Sequence, residues 1–207
     1  MLGCAPPWAP LPPIFEIFDC LLAHSASLKQ CSHMRRLFLI RHAKAEMPLG
    51  RNDFERALTD RGRADARRVA RALAQRDMLP DVLVYSGALR AKQTAEILAA
   101  EWPRRVPLQE DRALYDAPQG VLFARARALS DAYAGVAFVG HNPGLGEFAV
   151  AEAGSGAHSE LRRMAVKFPT SAVAALDFSV ESWDDIEREA ALLVFFLTPA
   201  ELEAEKG

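Results

Sequence analysis

Two histidines and two arginines stand at matching places along this chain. Arg41-His42 closes the apolar run Leu37-Phe38-Leu39-Ile40, Gly140-His141 closes Val136-Ala137-Phe138-Val139, and Arg90 follows Val82–Tyr85 through Ser86-Gly87-Ala88-Leu89. A neutral imidazole offers a nitrogen lone pair, and a guanidinium offers a fork of N–H donors that matches phosphate oxygens. Taken singly, each residue has an ordinary reading: Arg41 as a solvated strand end, Arg90 as a surface helix residue, His141 as a capped loop histidine. Taken together, at the ends of three apolar runs, they point to a pocket that holds a phosphoryl group and presents a nucleophile to it.

The elements that would position them follow from the hydrophobic pattern. A continuous apolar run reads as a strand buried on both faces, and ligands bind beyond the carboxyl ends of such strands. Thr59 can cap a helix from about Asp60 to Arg76, where Ala66, Val69, Ala70 and Leu73 recur at helical spacing and the many arginines form a solvated face. The pattern then predicts a strand at Val82–Tyr85, a helix over 88–101, a strand over 106–108, a helix over 121–133 and a strand at Val136–Val139. Pro143 suits the first turn of a further helix that Gly154 can end, and Ala172–Phe178 and Ala191–Leu197 read as two last strands. Arg90 would lie one turn into its helix, whose free N–H groups and dipole favour an anion. Strands separated by helices predict a single-domain α/β fold, a mainly parallel sheet covered by helices on both faces.

Composition narrows the function classes. Of 207 residues, 50% are hydrophobic and 25% charged, and the formal net charge of −2 excludes a strongly basic nucleic-acid binder. Cys4, Cys20 and Cys31 all precede Met34, so the body of the chain suits a reducing compartment, and a cytoplasmic location is expected. Residues 1–33 differ from the rest: they hold five of the 13 prolines, and Glu16 and Asp19 interrupt the stretch from Ile14 to Leu22. That pattern fits neither a secretory signal nor a membrane span. It is read as an irregular N-terminal extension, with Met34 as a natural start of the 34–207 domain. The alternative is a partner-binding segment built on Ile14, Phe15, Phe18, Leu21 and Leu22. The histidines lack zinc-type spacing, and no Walker loop or dinucleotide glycine pattern is present, which argues against a kinase or dehydrogenase.

At the level of motifs, the chain resembles the histidine phosphatase superfamily, most closely its SixA-like phosphohistidine phosphatase branch. Leu39-Ile40-Arg41-His42-Ala43-Lys44-Ala45 is similar to the first Arg-His motif, Asp53–Gly62 to the segment before the first helix, and Ser86–Thr94 to the second-arginine motif. Leu114-Tyr115-Asp116 is similar to the acid-loop region and Val139–Gly144 to the second-histidine motif. The resemblance implies a phosphoglycerate-mutase-like fold and covalent catalysis. His42 would attack phosphorus in line, and Arg41, Arg90 and His141 would bind the equatorial oxygens. No cofactor or metal is implied, since these side chains supply the charge. The flanking arginines should lower the pKa of His42 from about 6.5 and keep its lone pair available.

Two residues depart from the wider superfamily: Ala43 replaces the usual glycine, and Ala45 stands where many members carry a hydroxyl. Asp116 takes the place of the proton donor, with Glu110 and Asp111 nearby as alternatives. A short Asp favours a leaving group that departs readily, so a phosphohistidine-bearing protein is the leading substrate class. A phosphatase of small metabolites or nucleotides is the alternative within enzymes, and a silent phospholigand-binding module the alternative outside them. Asp53 and Arg56 are expected to pair and order the loop over the pocket. Lys44 is expected to face solvent or an anionic substrate, and His158, within Gly154–Ser159, to lie in a surface loop.

Overall fold

The computed structural model describes residues 34–47, 50 and 52–204. The N-terminal segment 1–33, expected above to be an irregular extension, lies outside the described residues. Strands β1 (Arg35–Arg41), β2 (Val82–Tyr85), β3 (Leu108–Glu110), β4 (Gly135–Gly140), β5 (Ala153–Gly156), β6 (Val173–Phe178) and β7 (Ala191–Leu197) form one sheet in the order β3-β2-β4-β1-β6-β7-β5. Every neighbouring pair is parallel except β1–β6 and β6–β7, so β6 alone runs against the rest. The helices are α1 (Asp60–Gln75), α2 (Leu89–Glu101), α3 (Gln119–Arg127), α4 (Gly144–Glu152), α5 (His158–Val166) and α6 (Pro199–Ala204). None of these is long and apolar enough to cross a membrane.

Alternation along β1 explains why both faces are covered. Leu37 and Leu39 point into one apolar layer with Phe138, Leu122 of α3, Phe148 of α4 and Met164 of α5. Phe38 and Ile40 point into the other, with Val69 and Leu73 of α1 and Ala95 and Leu98 of α2. Ile40 is 1% exposed, and removing a side chain so placed costs about 2–5 kcal/mol. The sheet is therefore a rigid base for the loops at its carboxyl edge.

The chain leaves β1 towards β2 on one side, and leaves β4, its sheet neighbour, towards β5 on the other. The crevice between two such strands is where an open α/β sheet binds ligands. In the β1–β4 register Arg41 lies opposite Gly140, and the His42 N–H donates to the Gly140 carbonyl at 3.0 Å. This single register brings the two sequence-distant histidines to the same level of the sheet.

Four sequence expectations are corrected. The third strand begins at Leu108 rather than Val106, after Pro107, which has no N–H to give a ladder. The helix expected to reach Tyr133 ends at Arg127; beyond it Ser130 Oγ accepts the Ala132 N–H, a local bond that competes with helical pairing. The helix expected to end at Gly154 ends at Glu152 with Ala153 as its cap, and Gly154 itself lies in β5, where a Cβ would come within 1.7 Å of the Glu189 carbonyl oxygen. The stretch around His158 is likewise not a loop: β5 occupies its first half, and His158 is the first residue of α5, exposed and away from the site.

Candidate active site

A cleft of about 520 Å³ opens at the carboxyl edge of β1 and β4, with Arg41, His42, Arg90, Tyr115, Asp116 and His141 in its wall. Lys44, Asp53, Arg56 and Asn142 also line it. Glu110 and Asp111, the alternatives to Asp116, are held elsewhere. Glu110 pairs with Arg112 at 2.7 Å, while Asp111 accepts the Ala113 N–H and pairs with Arg125. Asp116 sits in the cleft wall, exposed, on a backbone with φ of 45°.

His42 follows directly from the end of β1 and is buried. Its Nδ1 donates to the Ala43 carbonyl at 2.8 Å, because a carbonyl can only accept. Nε2 is then the lone-pair nitrogen, and it takes an N–H from Arg90 Nε at 3.4 Å. Burial is the main cause that holds the His42 pKa down to about 4, and Arg90, Arg41 and Arg56 push the same way. The shift runs in the direction expected from the sequence, but its leading cause is different: loss of water outweighs the arginines.

His141 packs its ring 4.9 Å from that of His42. Its Nδ1 accepts from Arg90 Nη2 at 3.2 Å, so Nε2 carries the proton and donates to Ser86 Oγ at 2.6 Å. Burial first, then His42 and Arg90, hold its pKa down to about 3. Both rings are thus neutral at pH 7.

The backbone that carries these groups is fastened from below. Thr94, on α2, accepts the Ala43 N–H at 3.0 Å and donates to the Arg90 carbonyl at 2.7 Å. Thr59 caps α1 by accepting the Gly62 N–H, and both its N–H and its hydroxyl donate to the Lys44 carbonyl. A Cβ at Gly62 would lie 2.1 Å from that carbonyl oxygen, so glycine allows the loop after His42 to rest on α1.

Arg41 donates to the Phe168 carbonyl at 2.9 Å, and its buried Nε has no partner among the described residues. Arg90, 3% exposed, reaches Asp53 through both of its terminal nitrogens. Asp53 also pairs with Arg56 at 2.7 Å, as their spacing predicts, and accepts from the Tyr115 hydroxyl at 2.7 Å. That hydroxyl, with the two arginines, holds the Asp53 carboxyl down to about 2, and the Asp53 carboxylate in turn raises the Tyr115 pKa. Sequence reasoning missed Tyr115 and Ser86 as site residues. Each lies within a motif quoted above, but neither type signals a partner 62 or 55 residues away.

Arg41, Lys44, Arg56 and Arg90 outweigh Asp53 and Asp116, so the cleft favours an anion. Among the described residues no group of three or more His, Cys, Asp or Glu side chains could hold a metal ion. A buried neutral imidazole with an unprotonated Nε2 beside two arginines is equipped for nucleophilic attack on a phosphoryl group whose oxygens the arginines neutralise.

Comparisons with known proteins agree in kind. The sequence profile described as histidine phosphatase superfamily (branch 1) matches residues 37–127. An uncharacterized protein of Mycobacterium leprae (strain TN) is 30% identical over 165 residues, covering 77% of this chain and 99% of that one. Among solved structures, a protein of Agrobacterium tumefaciens assigned as phosphohistidine phosphatase SixA superposes with a TM-score of 0.67 at 29% identity, covering 80% of this chain and 98% of the other. A Nakamurella multipartitia protein with the same assignment gives 0.66 at 26% identity, covering 80% and 96%.

Proposed function

Because the chain belongs to branch 1 of the histidine phosphatase superfamily, a phosphatase family, we propose that it removes the phosphoryl group from phosphohistidine on a protein, through a phosphorylated His42. The observation that carries this reading is the Nδ1 bond from His42 to the Ala43 carbonyl, which leaves Nε2 unprotonated inside a cleft rich in arginine. The Nε2 lone pair forms a bond to phosphorus as the substrate P–N bond breaks, and the breaking pair leaves with the substrate imidazole. Water then attacks the phosphoryl group on His42, Asp116 accepts the proton, and the bond from Nε2 to phosphorus breaks to release orthophosphate. Arg41, Arg90 and His141 hold the equatorial oxygens through both steps.

The acid chemistry of the cleft supports this substrate class. Asp53 is ionised far below neutral pH, so it cannot donate a proton at pH 7. Asp116 is short and exposed. An alkoxide leaving group needs a well-placed donor, whereas an imidazole protonated on its distal nitrogen departs neutral. The SixA assignment of the Agrobacterium and Nakamurella proteins supports the same class.

The test is a direct comparison of one protein phosphorylated on histidine with one phosphorylated on serine, alongside small phosphorylated metabolites. Preferential release of phosphate from the first is expected. Faster turnover of a metabolite would give the activity to the small-substrate reading, and binding without turnover would make the chain a silent module.

A further inference from the structure

A second depression, of about 560 Å³, adjoins the catalytic cleft, and Lys44 and Thr170 belong to the walls of both. Pro169 and Ala200 give it apolar surface over a floor of buried Phe196 and Pro199. Its charges are unevenly matched. Arg163 is paired with Glu201, and Arg61 lies 3.7 Å from Asp65, which also takes an ion pair from Arg68 at 2.7 Å. Lys44 and Lys167 are exposed and have no carboxylate partner among the described residues. The groove is therefore a locally cationic strip, beginning two residues past His42, on a chain whose formal net charge is −2.

We propose that this groove is a subsite for carboxylate side chains of the substrate polypeptide. Acidic residues beside the phosphohistidine would meet Lys44 and Lys167 while the phosphoryl group lies on Arg41, Arg90 and His141. The proposal rests on the function proposed above and names the protein substrates that the site prefers. A small phosphorylated metabolite is accommodated by the cleft alone and makes no use of the strip. A polypeptide continues out of the cleft past Lys44 and Thr170, and its apolar stems can lie on Pro169 and Ala200 while its carboxylates reach the lysines. Exposed lysines contribute modestly to each contact, but they set orientation and steer acidic partners in a salt-dependent way.

The experiment uses two peptides that share a non-hydrolysable phosphohistidine analogue, one flanked by Glu and the other by Gln, with anisotropy as the binding readout. Their hydrolysable counterparts and phosphoramidate report turnover. The full chain should bind the Glu-flanked peptide about five-fold more tightly at low salt, an advantage on the order of the exposed ion-pair contribution. Added salt should shrink that preference and Lys167→Glu should abolish it, with Tm and phosphoramidate turnover unchanged. Lys167→Ala should give an intermediate preference. Equal binding of the two peptides, or a preference that survives in Lys167→Glu, overturns the subsite. Failure to hydrolyse either phosphohistidine peptide overturns the proposed function instead, and the binding preference then decides the groove by itself.

Discussion

Asp53 holds Arg90 by two different groups: its carboxylate accepts from Arg90 Nη2 at 2.9 Å, and its backbone carbonyl accepts from Nη1 at 2.7 Å. The same guanidinium touches both buried histidines, at His42 Nε2 and His141 Nδ1. A phosphoryl group that takes Arg90 must therefore compete with a resident carboxylate. Asp53 fixes the arginine in place, and its carboxylate also repels the incoming dianion.

Asp53→Asn should separate those effects. Removing the negative charge should strengthen competitive inhibition by vanadate or inorganic phosphate about five-fold, the scale of a partly exposed charge interaction. Turnover should fall at the same time, because Arg90, Arg56 and Tyr115 lose a common acceptor. Unchanged or weaker inhibition would show that Asp53 orders the cleft without competing for its ligand.

Arg41→Ala and Arg90→Ala should each lower kcat by about 10²–10³, or 2.7–4 kcal/mol, by analogy with removal of one preorganised oxyanion donor. EDTA should leave wild-type turnover unchanged, because the arginines supply the charge that a metal would otherwise bring. Loss of activity in EDTA, with recovery on adding a divalent ion, would replace this account.

The two buried histidines set a pH dependence whose sign can be worked out. In the folded protein their pKa values are held to about 4 and about 3, against about 6.5 in the unfolded chain. Between those limits the unfolded state binds more protons, so stability rises with pH across that window and levels off above about 6.5. Melting temperatures measured from pH 7 down to 4.5 should therefore fall, and the fall should be shallower in His141→Ala than in wild type. The nucleophile itself should remain deprotonated well below neutrality, so kcat/KM for phosphoramidate should persist to about pH 5. A profile that loses half its activity at pH 6.5 would contradict a buried, neutral His42.

Thr94 joins the two arginine-bearing segments through one hydroxyl, which accepts from the Ala43 N–H and donates to the Arg90 carbonyl. Thr94→Val keeps the shape and leaves that buried N–H unpaired, which should destabilise the protein by about 1–3 kcal/mol. Chemical denaturation gives the difference directly. Turnover should fall as well, since the loop after His42 and the start of α2 are no longer tied together.

The sequence announces the site wherever strand ends and chemistry coincide. The runs before Arg41 and Gly140 are apolar on both faces, and burial on both faces is what a central parallel strand requires. Thr59 signals its helix because a cap is a local bond. What stays hidden depends on contacts across the chain. Nothing in Ala153-Gly154-Ser155-Gly156 favours a strand; β5 exists because two glycines let it lie close against its neighbours. Helix α5 buries only Met164, too little to show as an apolar stripe. The bond from Tyr115 to Asp53 spans 62 residues, and the one from Ser86 to His141 spans 55. Both follow from strand order and loop packing rather than from any local pattern.

The covalent role of His42 separates an enzyme from a binding module and can be read directly. A reaction with labelled phosphohistidine protein, quenched in alkali, should trap label on His42 as a phosphoramidate that survives base and is lost in acid. His42→Ala should abolish both label and turnover. The variant should still bind vanadate weakly, because Arg41 and Arg90 keep their anchors on Phe168 and Asp53, and His141 keeps Ser86. Binding that disappears along with turnover would mean that His42 organises the cleft as well as reacting in it. Label on a different residue, or near-normal turnover in His42→Ala, would move the nucleophile elsewhere and overturn the mechanism.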